Sequence, residues 1–105
     1  MKKLEDLRKD YGKGDLDVEH MSADPFVELA EWLNHAIETE GEEANAMILS
    51  TVDPLGQPSS RVVLLRSLVP ANGLGFFTNY NSRKAVELNS NPQGSIVFFW
   101  KTLQR

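Results

Sequence analysis

Large apolar residues are sparse and irregularly spaced along the first 23 positions, and Gly12 and Gly14 interrupt any helix there. This stretch reads as a charged arm with a short helix over residues 2–9. The pattern changes at Asp24-Pro25. Phe26, Leu29, Ala30, Leu33 and Ile37 then recur at the spacing of one helix face as far as Gly41. Asp24 is a suitable N-cap, and Pro25 falls at the first helical position, where its missing N–H costs nothing. The spacing predicts an amphipathic helix with one buried stripe.

From residue 46 to 52 the chain is apolar and partly β-branched, which predicts a strand, and Asp53-Pro54-Leu55-Gly56 follows as a turn. A second strand is predicted over 60–69, ending at Pro70-Ala71-Asn72-Gly73, where Asn-Gly favours a tight reversal. A third runs over 74–78. Asn79-Tyr80-Asn81-Ser82 breaks it and supplies capping side chains for a short helix over 83–89, which Asn91-Pro92 closes. Residues 95–100, rich in β-branched and aromatic side chains, predict a fourth strand. The expectation is a mainly β fold with some α content: an arm at 1–23, then one domain over 24–105 of antiparallel strands with helices added. Four strands leave two open edges, which a complete protein would pair or cover.

Composition narrows the function. With 105 residues, 41% hydrophobic and 25% charged, the chain matches an ordinary globular domain, though one small enough to lean on a partner. It contains no cysteine, so disulfides, thiolate metal sites and Cys nucleophiles are excluded, and any redox chemistry must come from a bound cofactor. No apolar run approaches the roughly 18 residues of a membrane span, and the start turns acidic where a signal peptide turns apolar, so a cytoplasmic protein with no membrane partner is expected. A net charge of −4 argues against nucleic-acid binding. Its distribution says more. Between Asp53 and Glu87 there is no acidic residue, while Arg61, Arg66, Arg83 and Lys84 all lie in that gap. Composition alone leaves chance and a small-anion site equally open.

Ser82-Arg83-Lys84 stands at a predicted helix start, where unpaired N–H groups and the helix dipole favour a phosphate; a capping serine followed by two solvated bases is the plain alternative. Arg61 and Arg66 bracket an aliphatic run, and their odd spacing puts them on opposite faces of a straight strand. Either a bulge or twist brings both to one ligand, or they serve different surfaces. His20 and His35 are isolated and read as structural rather than as metal ligands. Glu38, Glu40, Glu42 and Glu43 read as a solvated loop. Trp32, Phe76, Phe77, Phe98, Phe99 and Trp100 read as core or interface.

Taken in order, Arg61-Val62-Val63-Leu64-Leu65-Arg66, Phe76-Phe77-Thr78-Asn79, Ser82-Arg83-Lys84, and Asn91-Pro92 ahead of Phe98-Phe99-Trp100 resemble the pyridoxamine 5'-phosphate oxidase family. The resemblance covers nearly the whole chain and implies an FMN-binding split β-barrel, incomplete in this chain, in which two subunits hold two FMN at their interface. It implies that Arg61, Ser82, Arg83 and Lys84 hold the FMN phosphate, while Val62, Val63, Leu64, Leu65, Phe77 and Thr78 line the flavin. Arg66 stands where the family usually has lysine, near both flavin and substrate; a planar guanidinium replaces a point charge there. Arg8-Lys9-Asp10-Tyr11 falls where the family has a segment that closes over the substrate.

The implied reaction oxidises pyridoxamine or pyridoxine 5'-phosphate to pyridoxal 5'-phosphate, with FMN as cofactor and O2 as acceptor. The family's substrate-facing Arg-x-His motif would lie beyond Arg105, so the catalytic residues are expected there and this chain is expected to be inactive alone. Other split-barrel flavoproteins, such as flavin or deazaflavin reductases, and a non-catalytic flavin-binding module are the alternatives.

Overall fold

The computed structural model describes residues 3–7, 17–69, 71–78 and 82–103. Asp24 caps the first helix, α1 (Pro25–Glu40), by accepting the Phe26 N–H at 2.9 Å. A single 3-10 turn, Gly41–Glu43, leads from it into strand β1 (Ala46–Val52). Asp53 then builds the predicted turn: its Oδ1 accepts the N–H groups of Leu55 and Gln57, and Gly56 takes the positive φ of 84° that closes it. β2 (Pro58–Leu64) returns antiparallel to β1, with Ile48 opposite Val62 and Thr51 opposite Ser59.

The predicted strand over 60–69 is two strands. After Leu64 the chain leaves the first sheet: the Leu65 N–H goes to the Asn45 carbonyl, the Asn45 side chain donates back to the Leu65 carbonyl, and the Arg66 N–H goes to the Gly75 carbonyl. β3 (Ser67–Val69) therefore belongs to a second, two-stranded sheet with β4 (Gly73–Gly75). β4 is shorter than the expected 74–78, so Phe76, Phe77 and Thr78 lie outside regular pairing. α2 (Arg83–Ser90) follows, then β5 (Gly94–Val97), which pairs antiparallel with β1 to give the order β2-β1-β5. Of the short helix expected over 2–9, the described part is a 3-10 turn, Leu4–Asp6.

β5 stops before Phe98 because Phe98 and Trp100 are drawn to the core instead of the ladder, while Phe99 between them stays exposed. Trp100 is buried and donates its indole N–H to the Ala44 carbonyl at 2.9 Å, with Phe98 stacked on it at 5.1 Å. Ala36, Ala44, Trp100 and Leu103 form the main buried cluster, with Leu29, Trp32, Leu33 and Phe98 packed against it. Of the predicted stripe of α1, only Leu29 and Leu33 pack against this cluster, and Phe26 and Ile37 stay exposed; the helix residue that is buried is Ala36, outside that stripe. Glu40, expected to be solvated, accepts the N–H groups of Thr102 and Leu103 and ties the chain's last described turn to α1.

On β1, Met47, Leu49 and Thr51 are buried on one face, while Ile48 on the other is exposed beside its cross-strand neighbours Val62 and Val97. Among the described residues the two sheets do not close into a barrel.

The Trp100 bond gives a direct test of this packing. Trp100→Phe removes the donor to a buried carbonyl, and stability should fall by about 1–3 kcal/mol, the cost of leaving such a group unpaired. Urea unfolding monitored by far-UV circular dichroism would measure the difference.

Candidate functional site

Ser82 has an extended backbone, and its side chain accepts the Ala85 N–H at 3.2 Å, so it caps α2 as its sequence position suggests. Arg83 and Lys84 then occupy the first turn. Arg83 leans along the helix to Glu87, one turn on, with Nε 2.8 Å from Oε1, yet its side chain remains 65% exposed. Lys84 is half-buried.

Arg61 reaches the same carboxylate from the sheet. β2 alternates so that Ser59, Arg61 and Val63 are half-buried and Ser60, Val62 and Leu64 are exposed. The Arg61 guanidinium, 22% exposed, donates to the Leu49 carbonyl (3.1 Å), Thr51 Oγ1 (2.8 Å) and Ser59 Oγ (2.6 Å), and its Nη2 lies 3.8 Å from Glu87 Oε2. The Thr51 and Ser59 hydroxyls in turn donate hydrogen bonds to Glu87 Oε2, the latter at 3.0 Å. Two arginines distant in sequence therefore converge on one carboxylate.

Glu87 is 5% exposed, and its hydrogen bonds from Thr51, then Arg83, then Ser59 hold its carboxyl down from about 4.5 to about 2, against the opposing effect of burial. Arg83 is correspondingly held above its usual range, first by the hydrogen bond to Glu87 and then by its charge.

A second group of contacts adjoins the first. Arg66 lies over the Phe77 ring, 5.1 Å from its centroid, and the Thr78 hydroxyl is 3.1 Å from that of Ser82. Phe77 is 79% exposed. The break after Leu64 turns the two strand arginines to different neighbours: Arg61 to α2, and Arg66, beyond the end of β2, to Phe77. Leu65 is buried and Val62 is 67% exposed, so the aliphatic run does not present a single surface. β2 is an edge strand among the described residues, which leaves outward-facing backbone groups along Val62 to Leu64. Arg8-Lys9-Asp10-Tyr11 lies outside the described residues. His20, exposed, pairs with Asp17 through Nδ1 at 2.9 Å.

A concavity of about 550 Å³ lies elsewhere, between α1 and the start of β3, and only Leu65 and Arg66 of the expected site residues line it.

Residues 33–105 match the family described as pyridoxamine 5'-phosphate oxidase. The chain belongs to the pyridoxamine 5'-phosphate oxidase family. It is 46% identical over 102 residues to a pyridoxine/pyridoxamine 5'-phosphate oxidase of Bordetella pertussis, covering 97% of this chain and 48% of that protein. It is 44% identical over 105 residues to the enzyme of the same name from Ralstonia pickettii, covering 49% of it. The chain thus spans about half the length of the curated relatives it matches. PhzG from Burkholderia lata 383, solved in complex with tetrahydrophenazine-1-carboxylic acid, superposes with a TM-score of 0.75 at 29% identity, covering 86% of this chain and 46% of that one. A pyridoxamine 5'-phosphate oxidase-related, FMN binding protein from Nostoc punctiforme gives 0.60 at 26% identity, covering 68% and 39%. These neighbours accord with the split-barrel fold expected from the resemblance, here with its barrel open.

For this member of the family, sequence reasoning missed three residues of the cluster: Glu87, Thr51 and Ser59. Glu87 had a signal, since it stands one helical turn after Arg83 and is the residue that ends the acid-free stretch. The hydroxyls had none.

Because the Glu87 carboxyl titrates lower when folded than when free, its contribution to stability is complete above about 4.5 and is lost as pH falls through about 2. Wild-type stability should therefore decline across this acid window more steeply than that of Glu87→Gln. Urea unfolding at successive pH values would show the two curves converging toward the acid end.

Proposed function

We propose that the chain binds FMN by its phosphate and serves the oxidation of pyridoxamine or pyridoxine 5'-phosphate to pyridoxal 5'-phosphate, with O2 as acceptor. The observation that carries this is the convergence of Arg61 and Arg83 on one buried carboxylate at the capped start of α2, with Lys84 alongside. The residues fit a phosphate monoester. Among the described residues Arg83 is paired along its helix and keeps an exposed guanidinium, and the first turn of α2 adds backbone donors. They fit a flavin ring as well, since exposed Phe77 and the open edge of β2 offer an apolar face and backbone partners. The names of the relatives and the FMN binding neighbour support the same assignment.

When bound, FMN supplies the hydride acceptor, and O2 then takes the electrons to give hydrogen peroxide. The chain's own groups supply charge and orientation. Arg61, Ser82, Arg83 and Lys84 hold the phosphate; the backbone and side chains from Val62 to Leu65, with Phe77 and Thr78, line the ring. Arg66, held over Phe77, reaches toward both ring and substrate. Arg8, Lys9, Asp10 and Tyr11 close over the substrate. A homodimer completes the flavin site, because the exposed face of Ile48, Val62, Leu64, Val97 and Phe99 leaves apolar surface for a symmetric copy to cover. The chain's composition suits a cytoplasmic setting, and among the described residues no helix is long and apolar enough to cross a membrane.

Replacing Arg83 and Lys84 together by alanine should weaken FMN binding at least about tenfold, because hydrogen bonds between charged groups contribute about 1.5–3 kcal/mol each and the exposure of Arg83 places its share at the low end. Riboflavin, which lacks the phosphate, should bind as before. Fluorescence titration with both flavins decides this; equal losses for the two would remove the pair from the phosphate. Assay of peroxide and pyridoxal 5'-phosphate formation with saturating FMN tests turnover directly: little or none is expected from this chain by itself, and a rate that matches a full-length oxidase would contradict that expectation.

Dilution provides the check on assembly. A homodimer should show a thermal midpoint that rises with protein concentration, whereas light scattering that gives a flavin-loaded monomer across the range would contradict it.

A further inference from the structure

The cationic cluster is built around an anion. Glu87 Oε1 accepts Arg83 Nε at 2.8 Å, while Oε2 accepts the hydroxyls of Thr51 and Ser59 and lies 3.8 Å from Arg61 Nη2. Arg61 donates to those same hydroxyls at 2.8 and 2.6 Å. One carboxylate thus fixes an arginine from α2 directly and an arginine from β2 through two hydroxyls, each of which accepts from Arg61 and donates to Glu87. We propose that Glu87 is the positioning residue of the phosphate site, presetting Arg61 and Arg83 as one pair and so setting the preference for a flavin phosphate over the unphosphorylated flavin. This rests on the phosphate assignment above.

Two effects of Glu87 oppose each other. Its charge lowers the positive potential of the site, which by itself disfavours an anion. Its hydrogen bonds restrain two long side chains that would otherwise lose rotamer freedom only when the ligand arrives. Charge matching decides between them. Arg61, Arg83 and Lys84 against one carboxylate leave a surplus of two positive charges, and a phosphate monoester carries about −1.5 to −2 near neutral pH. The site keeps enough charge for its ligand, so fixed geometry is the larger gain.

The test titrates the full chain with FMN and with riboflavin, comparing wild type, Glu87→Ala and Glu87→Gln, and follows the arginine Nε–H signals by NMR without flavin. Glu87→Ala should cut the FMN-to-riboflavin preference by about tenfold, the scale of one charge-assisted hydrogen bond, while riboflavin affinity holds. Glu87→Gln keeps the volume but has one acceptor oxygen for Arg83 and the hydroxyls together, so the preference should fall by a smaller factor; this variant decides the matter if the alanine form does not fold. The Arg83 Nε–H should be protected from exchange in wild type and lose that protection in Glu87→Ala. A preference that stays constant or rises in the variants would overturn the proposal, as would equal losses for both flavins in step with thermal stability. Lack of Nε–H protection in wild type would overturn it without reference to any flavin. A wild-type chain that binds FMN no more tightly than riboflavin would instead refute the phosphate assignment itself, which separates the two failures.

Discussion

A carboxylate taken out of water must be met by donors, and Glu87 meets this requirement with groups from three elements at once: Thr51 on β1, Ser59 and Arg61 on β2, and Arg83 on its own helix. A buried ion pair of this kind is weak support for stability, because desolvation offsets much of the attraction. Its value lies in what it fixes. The helix cannot slide on the sheet without leaving a charge unpaired, so the start of α2, with Ser82, Arg83 and Lys84, is held at one place beside β2. Among the described residues no buried side-chain polar atom lacks a partner, so the network is satisfied rather than strained.

The same strand serves two environments because its side chains alternate. Ser59 and Arg61 point toward Glu87, and Val62 and Leu64 point to the opposite, exposed face beside Ile48. A one-residue slip in register would turn the arginine to the apolar face and a valine to the carboxylate. The Asp53 turn guards against that slip, since it fixes the β1–β2 connection by two side-chain hydrogen bonds and a glycine at positive φ.

Local chemistry explains which parts of this were legible. Asp24-Pro25 and Ser82 act on backbone groups within a few residues of themselves, and both caps are where the sequence places them. β1 occupies the predicted span because its apolar run is bounded by turn residues on one side and a helix end on the other. The break at Leu65 was hidden because it depends on Asn45, twenty positions away, and on Gly75. β5 ends early for a similar reason: Trp100 looks like strand sequence until its indole finds the Ala44 carbonyl. Glu87 was visible only as the end of the acid-free stretch, since nothing local to it reveals Thr51 or Ser59.

The asymmetry between the two sides of the sheet bears on how function is divided. On the polar side, the described residues satisfy the Glu87 carboxylate from within the chain. The apolar side is different: Ile48, Val62, Val97 and Phe99 surround an open concavity of about 370 Å³, and an exposed surface of that character invites cover. The chain corresponds to about half of each relative. Phosphate recognition needs only fixed charges, whereas chemistry on a flavin ring needs an enclosed face from which water is excluded. The fold puts a hydrogen-bonded cationic cluster on one face of an edge strand and an exposed apolar surface on the other, so under the proposed function the two demands would fall on opposite sides, the first met by internal hydrogen bonds and the second dependent on whatever packs against the strand.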